Sequence, residues 1–143
     1  MNTWDFSADL HALDLLLQTA LDEALSAYGL TMAQWRALHA VHEQPGASGA
    51  ELARACGVTA QTMHAMLVGL ERMGLVVRQP HAVHGRVVQV WLANAGERRL
   101  AAGRAIVEAV EARALAGLSD DERMLLGGLL ARVAGALKQT RRR

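Results

Sequence analysis

The residues best suited to recognition chemistry stand in one short run, Thr59-Ala60-Gln61-Thr62-Met63-His64-Ala65. Each polar member can donate or accept hydrogen bonds, and none carries a fixed charge. A glutamine amide pairs with a planar edge that offers one donor and one acceptor. Small methyl-bearing side chains such as Thr and Ala suit close contact with another methyl group. Behind this run, Leu67, Leu70 and Met73, then Leu75 and Val76, are apolar at helical spacing. The pattern predicts a helix anchored at its back and presented, short and polar, at its front.

Other chemistries are less well served. His39 with His42, and His81 with His84, are each spaced by three, but the pairs fall on different elements. No Cys-x-x-Cys or His-Glu-x-x-His accompanies them, and zinc wants three or four convergent ligands, so no metal is expected. Cys56 is the single cysteine, which excludes an intramolecular disulfide, and its position fits a buried core thiol. Trp35 and His39 lie one turn apart, which suits an aromatic ligand and equally suits core packing. There is no Gly-x-Gly-x-x-Gly, no P-loop and no Ser–His–Asp arrangement that can be placed. Neither catalysis nor a cofactor is expected.

The elements that position the run follow from caps and periodicity. Residues 8 to 28 carry Leu10, Leu13, Leu17, Ala20, Leu21, Ala24 and Tyr28 on one helix face, widened by Leu15, Leu16 and Leu25, with Gly29 as the stop. Thr31-x-x-Gln34 is a capping box that opens a helix to about Glu43, broken by Pro45-Gly46. Ser48-x-x-Glu51 opens a short helix from Gly49 to Ala55, and Gly57 closes it. Thr59 then caps the helix of the opening run, which Gly74 ends. From Leu75 the period changes to two: Leu75–Gln79 and Val88–Leu92 are predicted strands around a loop Pro80 to Gly85. A long Ala-rich helix to about Gly117 follows, then a helix opened by Ser119-x-x-Glu122 with Leu125, Leu126, Leu129, Leu130, Val133 and Leu137 on its face. The fold class is mainly α with a small β-hairpin (α+β).

Two short helices joined through Cys56-Gly57-Val58, with small Ala53 before the glycine, make a helix-turn-helix. Val58, Met63, Met66, Leu67 and Leu70 would pack inward, leaving Gln61, Thr62, His64 and Ala65 outward at the front. A helix held this way can enter the major groove of DNA, where Gln reads adenine and methyl groups meet thymine. The hairpin adds a wing whose Gly85-Arg86 tip suits a narrow minor groove. Arg54, Arg72 and Arg78 are candidates for phosphates, against the plainer reading of solvated surface charge.

The chain has 143 residues, one domain by size, with a formal net charge of +1 that neither demands nor excludes nucleic acid. Its charge is polarised. Before Arg36 there are only acids (Asp5, Asp9, Asp14, Asp22, Glu23), and from Arg132 onward only bases (Arg132, Lys138, Arg141, Arg142, Arg143). These arms can attract each other within one chain or between two. No run is long and apolar enough for a membrane span, and the acidic start is unlike a signal peptide, so a soluble cytoplasmic protein is expected.

Residues 30 to 96 resemble the winged-helix core of the MarR family of bacterial transcriptional regulators. The most specific parts are Leu30-Thr31 before the second helix, the Gly57-Val58-Thr59 turn, and Leu70-Glu71-x-x-Gly74-Leu75-Val76 at the end of the recognition helix. The resemblance implies one MarR-like domain over 1–143, with a winged helix-turn-helix lobe at 30–96 flanked by N- and C-terminal dimerisation helices at 1–29 and 97–143. It implies a homodimer on a pseudo-palindromic double-stranded operator, a repressor relieved by a small aromatic effector. The DNA contacts would come from Thr59, Gln61, Thr62, His64, Ala65, Arg54, Arg72, Arg78, His84 and Arg86, and the ligand contacts from Trp35 and His39.

Two departures from the family pattern matter. Where its wing carries an Asp-x-Arg-Asp-Arg-Arg type sequence, His81 and His84 replace the aspartates, Gly85 replaces an arginine, and only Arg86 matches. The Leu-Thr before the long helix is Leu92-Ala93 here, so the cap is expected to fall to Asn94. Peroxide-sensing members carry their reactive cysteine in the first helix, where this chain has none. The rival reading is a winged helix that serves as a protein-interaction module without sequence-specific DNA binding.

Overall fold

The computed structural model describes residues 4–140. Its elements run α1 (Phe6–Ser26), α2 (Met32–Glu43), α3 (Gly49–Cys56), α4 (Ala60–Arg72), β1 (Val76–Pro80), β2 (Val88–Leu92), α5 (Asn94–Ala114) and α6 (Asp120–Thr140). The expected class, mainly helical with one hairpin, is the observed one. The chain forms two compact units that divide after Glu108.

In the first unit, Asp5 caps α1 by accepting from the Ala8 N–H at 3.0 Å. The rear of α1 buries Leu21 and Leu25, while Leu13, Leu15 and Leu16 stay exposed, Leu16 to 71%. Gly29 adopts φ +74°, and the Leu30 N–H returns to the Leu25 carbonyl, closing α1 with the left-handed stop its glycine predicts. Asp22 reaches forward to accept from the Met32 N–H at 2.9 Å, tying α1 to the start of α2. Of the acidic arm, Asp5 and Asp22 are thus spent on helix ends. Arg141, Arg142 and Arg143 of the basic arm lie outside the described residues.

Both predicted capping boxes of this unit are formed, Thr31 with Gln34 and Ser48 with Glu51. Gly57, at φ +66°, lets the chain turn sharply from α3 into α4. The core of this unit lies between α2, α3, α4 and the hairpin, around Leu38, Val41, Leu52, Met63, Leu70 and Val90. The strands are antiparallel, from Val76 opposite Leu92 to Pro80 opposite Val88. β1 starts one residue later than expected, because Leu75 still belongs to the helix stop: its N–H donates to the Leu70 carbonyl.

The hairpin has a third partner that periodicity did not reveal. The Gly46 N–H donates to the Val90 carbonyl, the Val90 N–H donates to the Ala47 carbonyl, and Ser48 bridges to Gln89. The α2–α3 connection therefore runs beside β2. Gly46 is required there, since a Cβ would lie 2.7 Å from the Trp91 ring.

The expected cap at Asn94 is not the observed one. Asn94 is already the first helical residue, so the cap position is Ala93, which has no side-chain acceptor. Ala93 instead donates its N–H to the Leu75 carbonyl at 3.0 Å. Gly96 packs against the same carbonyl group so closely that a Cβ would collide with it.

In the second unit, Ser119 and Glu122 form the expected capping box, with contacts of 2.8 and 3.2 Å. The Arg123 guanidinium donates to the Leu115 carbonyl at 3.2 Å, holding the turn before α6. The apolar face of α6 buries nothing within the chain: Leu125, Leu126, Leu129, Leu130, Val133 and Leu137 are all exposed. Among the described residues, no helix is long and apolar enough to cross a membrane.

Candidate nucleic-acid interface

The front of α4 is built by its cap. Thr59 Oγ1 accepts from the Thr62 N–H at 3.1 Å and donates to Thr62 Oγ1 at 2.9 Å, so Thr59 and Thr62 are fixed together at the helix entrance. Met63, Leu67 and Leu70 are buried beneath, and Val58 and Met66 are half-buried. Gln61, Thr62, His64 and Ala65 are exposed on the opposite side. α3 crosses close behind, with buried Ala53 accepting the Val58 N–H at 3.0 Å through its carbonyl. The result is a rigid helix whose first two turns offer hydrogen-bonding and methyl groups without a full charge.

The arginines divide into two kinds. Arg54 near the end of α3 and Arg72 in the last turn of α4 are exposed. Arg72 lies about 15 Å along α4 from Thr62, so the two ends of the helix address different regions. Arg78 is half-buried and already engaged: its Nε and Nη2 donate to the two carboxylate oxygens of Glu71 at 3.0 and 3.3 Å. That pairing holds the Glu71 carboxyl below the usual carboxylate range. Arg78 therefore braces α4 against β1, and a phosphate would have to compete with Glu71 for it.

The wing loop spans seven residues, His81 to Val87, one longer than the six expected. His84 and Arg86 are exposed near its tip. His81 Nδ1 accepts from the backbone N–H groups of Val83 and His84, each at 3.0 Å.

A cavity of ≈ 400 Å³ opens along α2 and α3, with Trp35, Arg36, His39, Glu43 and Cys56 among its lining residues. The Trp35 and His39 rings lie 5.4 Å apart, tilted by 36°. Trp35 is also committed behind: its Nε1 donates to the Leu100 carbonyl at 3.3 Å, and a Cβ at Gly103 would strike the indole. The lining residues belong to α2, its C-cap Gln44 and α3. Cys56 is not the fully buried thiol expected. It is half-buried in the cavity wall, its Sγ 3.8 Å from the Arg36 carbonyl, and burial pushes the thiol pKa up.

The histidine pairs do not assemble into a larger cluster. His39 lies 3.9 Å from Glu43, and His42 lies 3.4 Å from Glu97. Among the described residues, no three His, Cys, Asp or Glu side chains converge on one point.

The comparisons with known proteins agree with this geometry. The model of the MarR family matches residues 28–87. The HTH-type transcriptional repressor Rv2887 of Mycobacterium tuberculosis is 36% identical over 110 residues, covering 77% of this chain and 79% of the repressor. The chain belongs to the MarR family. Two solved structures of the MarR family protein Rv2887 extend the likeness across nearly the whole fold. Its complex with salicylic acid matches with a TM-score of 0.76 at 30% identity, covering 92% of this chain and 98% of that one. Its complex with DNA matches with a TM-score of 0.79 at 28% identity, covering 91% and 98%.

Sequence reasoning on this MarR-family chain missed three site features. These are the Glu71–Arg78 brace, the ring of His81 inside the wing loop, and Arg36 beside Cys56 in the cavity wall. Glu71 seven residues before Arg78 was a readable signal, because the turn at Gly74 folds the two back together.

Proposed function

We propose that this chain is a homodimeric, cytoplasmic, sequence-specific DNA-binding repressor of transcription, relieved by a small aromatic acid. The observation that carries the reading is the exposed, uncharged front of α4 on a back anchored by buried Met63, Leu67 and Leu70. Gln61, Thr62, His64 and Ala65 read base edges in the major groove, with Thr59 fixing the entrance. Arg54 and Arg72 hold phosphates, Arg78 does so only when released by Glu71, and Arg86 with His84 forms the wing contact. The DNA complex of the related repressor supports this use of the fold.

The chain serves the two tasks in different parts. Residues 30–96 carry the DNA contacts, and the helices on either side, 1–29 and 97–143, carry dimerisation. The uncovered leucines of α1 and of α6 support that assignment, since a second copy would cover both. The effector sits on Trp35 and His39. The salicylic acid complex of the relative supports an aromatic acid as its class.

The test is selection of duplexes from fragmented genomic DNA of the source organism, repeated at rising salt. A sequence-selective shift is expected, and Gln61→Ala should weaken it by about 1–3 kcal/mol while relaxing preference at one base pair. A dimer that selects no sequence would mark an interaction module instead. Equal losses on cognate and scrambled DNA would remove Gln61 from base reading.

A further inference from the structure

His81 stands at the root of the wing loop, directly after β1. Its ring accepts from the Val83 and His84 N–H groups through one atom, Nδ1. Its own backbone N–H donates to the Val87 carbonyl at 2.7 Å. The Val87 N–H donates in turn to the His84 carbonyl at 2.8 Å, closing the four-residue turn His84-Gly85-Arg86-Val87. Residue 81 therefore grips both ends of the turn that carries Arg86, His84 through its ring and Val87 through its backbone. The His84 ring lies over that of His81, with centroids 5.2 Å apart.

Without the ring, two N–H groups at the start of the turn would look to water for partners. Gly85, with open space where a Cβ would be, would give the tip wide backbone freedom. An arginine on a wandering tip loses that freedom on binding, whereas one on a preset turn does not. Because Nδ1 is the acceptor, the ring proton resides on Nε2.

We propose that His81 is the positioning residue for Arg86: its ring, used as a hydrogen-bond acceptor, presets the wing turn that delivers Arg86 to DNA. The proposal rests on the wing contact described under the proposed function, and goes beyond it in assigning a role to a side chain that is not among the DNA contacts proposed there.

The experiment measures affinity for a duplex selected from a randomised library by the wild-type protein. His81→Ala, His81→Asn, Arg86→Ala and the His81→Ala/Arg86→Ala pair are compared. His81→Ala and Arg86→Ala should each weaken binding about three- to tenfold. His81→Asn should stay within about twofold of wild type, because an Asn Oδ1 accepts from the N–H two residues on in the same way. The double variant should bind no more weakly than Arg86→Ala alone. Wild-type affinity in His81→Ala beside an impaired Arg86→Ala, or additive losses in the pair, overturns the positioning role. A silent Arg86→Ala overturns the wing contact itself. Nitrogen-15 shifts of the His81 ring give a readout that needs no DNA: Nδ1 should be the unprotonated nitrogen, and a proton there overturns the cradle.

Discussion

Arg78 reaches from β1 to Glu71 on the last turn of α4 and meets both carboxylate oxygens, at 3.0 and 3.3 Å. The contact joins the recognition helix to the root of the wing, and it has a pH signature. The Arg78 hydrogen bonds depress the Glu71 carboxyl in the folded state. Its stabilising effect is therefore fully present above the ordinary carboxylate value of about 4.3, and is lost as pH falls through the lower folded value. Glu71→Gln should lower the midpoint of thermal unfolding at neutral pH and leave it unchanged in strong acid. Unfolding curves at the two pH values decide this, and an equal shift at both would refute the linkage.

The same contact separates the arginines on DNA. Each phosphate contact contributes about 0.9 to the slope of log affinity against log salt. Arg54→Ala and Arg72→Ala should each reduce that slope by about one, while Arg78→Ala should change it little and lower thermal stability instead. Binding isotherms at several salt concentrations provide the measure.

The leucine face of α6 should be an interface. Covering it and the front of α1 with a second copy should bury more than about 2,000 Å², the size of an obligate dimer interface. Light scattering at micromolar concentration should report a dimer. Leu129→Asp, on a side chain the single chain leaves exposed, should yield monomers that keep their helical signal. A monomeric wild type would sink the assignment.

Aromatic acids at millimolar concentration should weaken DNA binding, and a hundredfold loss requires about 2.7 kcal/mol of differential affinity. Trp35→Ala is an ambiguous probe, since the indole also bonds to Leu100 and fills the notch at Gly103. His39→Ala should abolish the effect while leaving the fold intact. An unchanged response in His39→Ala would move the effector elsewhere.

Gly103→Ala should expel the indole from its notch, with Nε1 only 2.6 Å from the new Cβ position. Overpacking of this kind costs about 1–3 kcal/mol. A fall in unfolding midpoint with a red-shifted tryptophan emission is expected, and an unshifted emission would show that the indole stays seated.

Much of this fold was legible because local chemistry decides it. The capping boxes at Thr31, Ser48 and Ser119 each satisfy backbone groups within three residues, so their spacing alone announces them. Gly29, Gly57 and Gly74 all take positive φ where a stop was expected. The front of α4 was equally readable, since outward residues on an amphipathic helix follow from its period. What escaped depends on partners far apart in the chain. Trp35 bonds to Leu100, and no pattern in α2 names that partner. The cap at Ala93 escaped because its donor is satisfied by the carbonyl of Leu75, where a side chain was sought. The hydrogen bonds of the His81 ring to Val83 and His84 escaped because no hydrophobic period organises a loop.

The start of α5 meets the start of the hairpin backbone to backbone. The Ala93 amide bonds to the Leu75 carbonyl, and Gly96 leaves no room there for a Cβ. Such a joint is built like a crank keyed to its shaft: a rotation of the first turn of α5 should carry the root of the wing with it. The Leu92 side chain also closes on the joint, its Cδ2 3.2 Å from where a Cβ on residue 96 would stand, so the joint owes its tightness to a missing side chain and any Cβ at residue 96 would pry it apart.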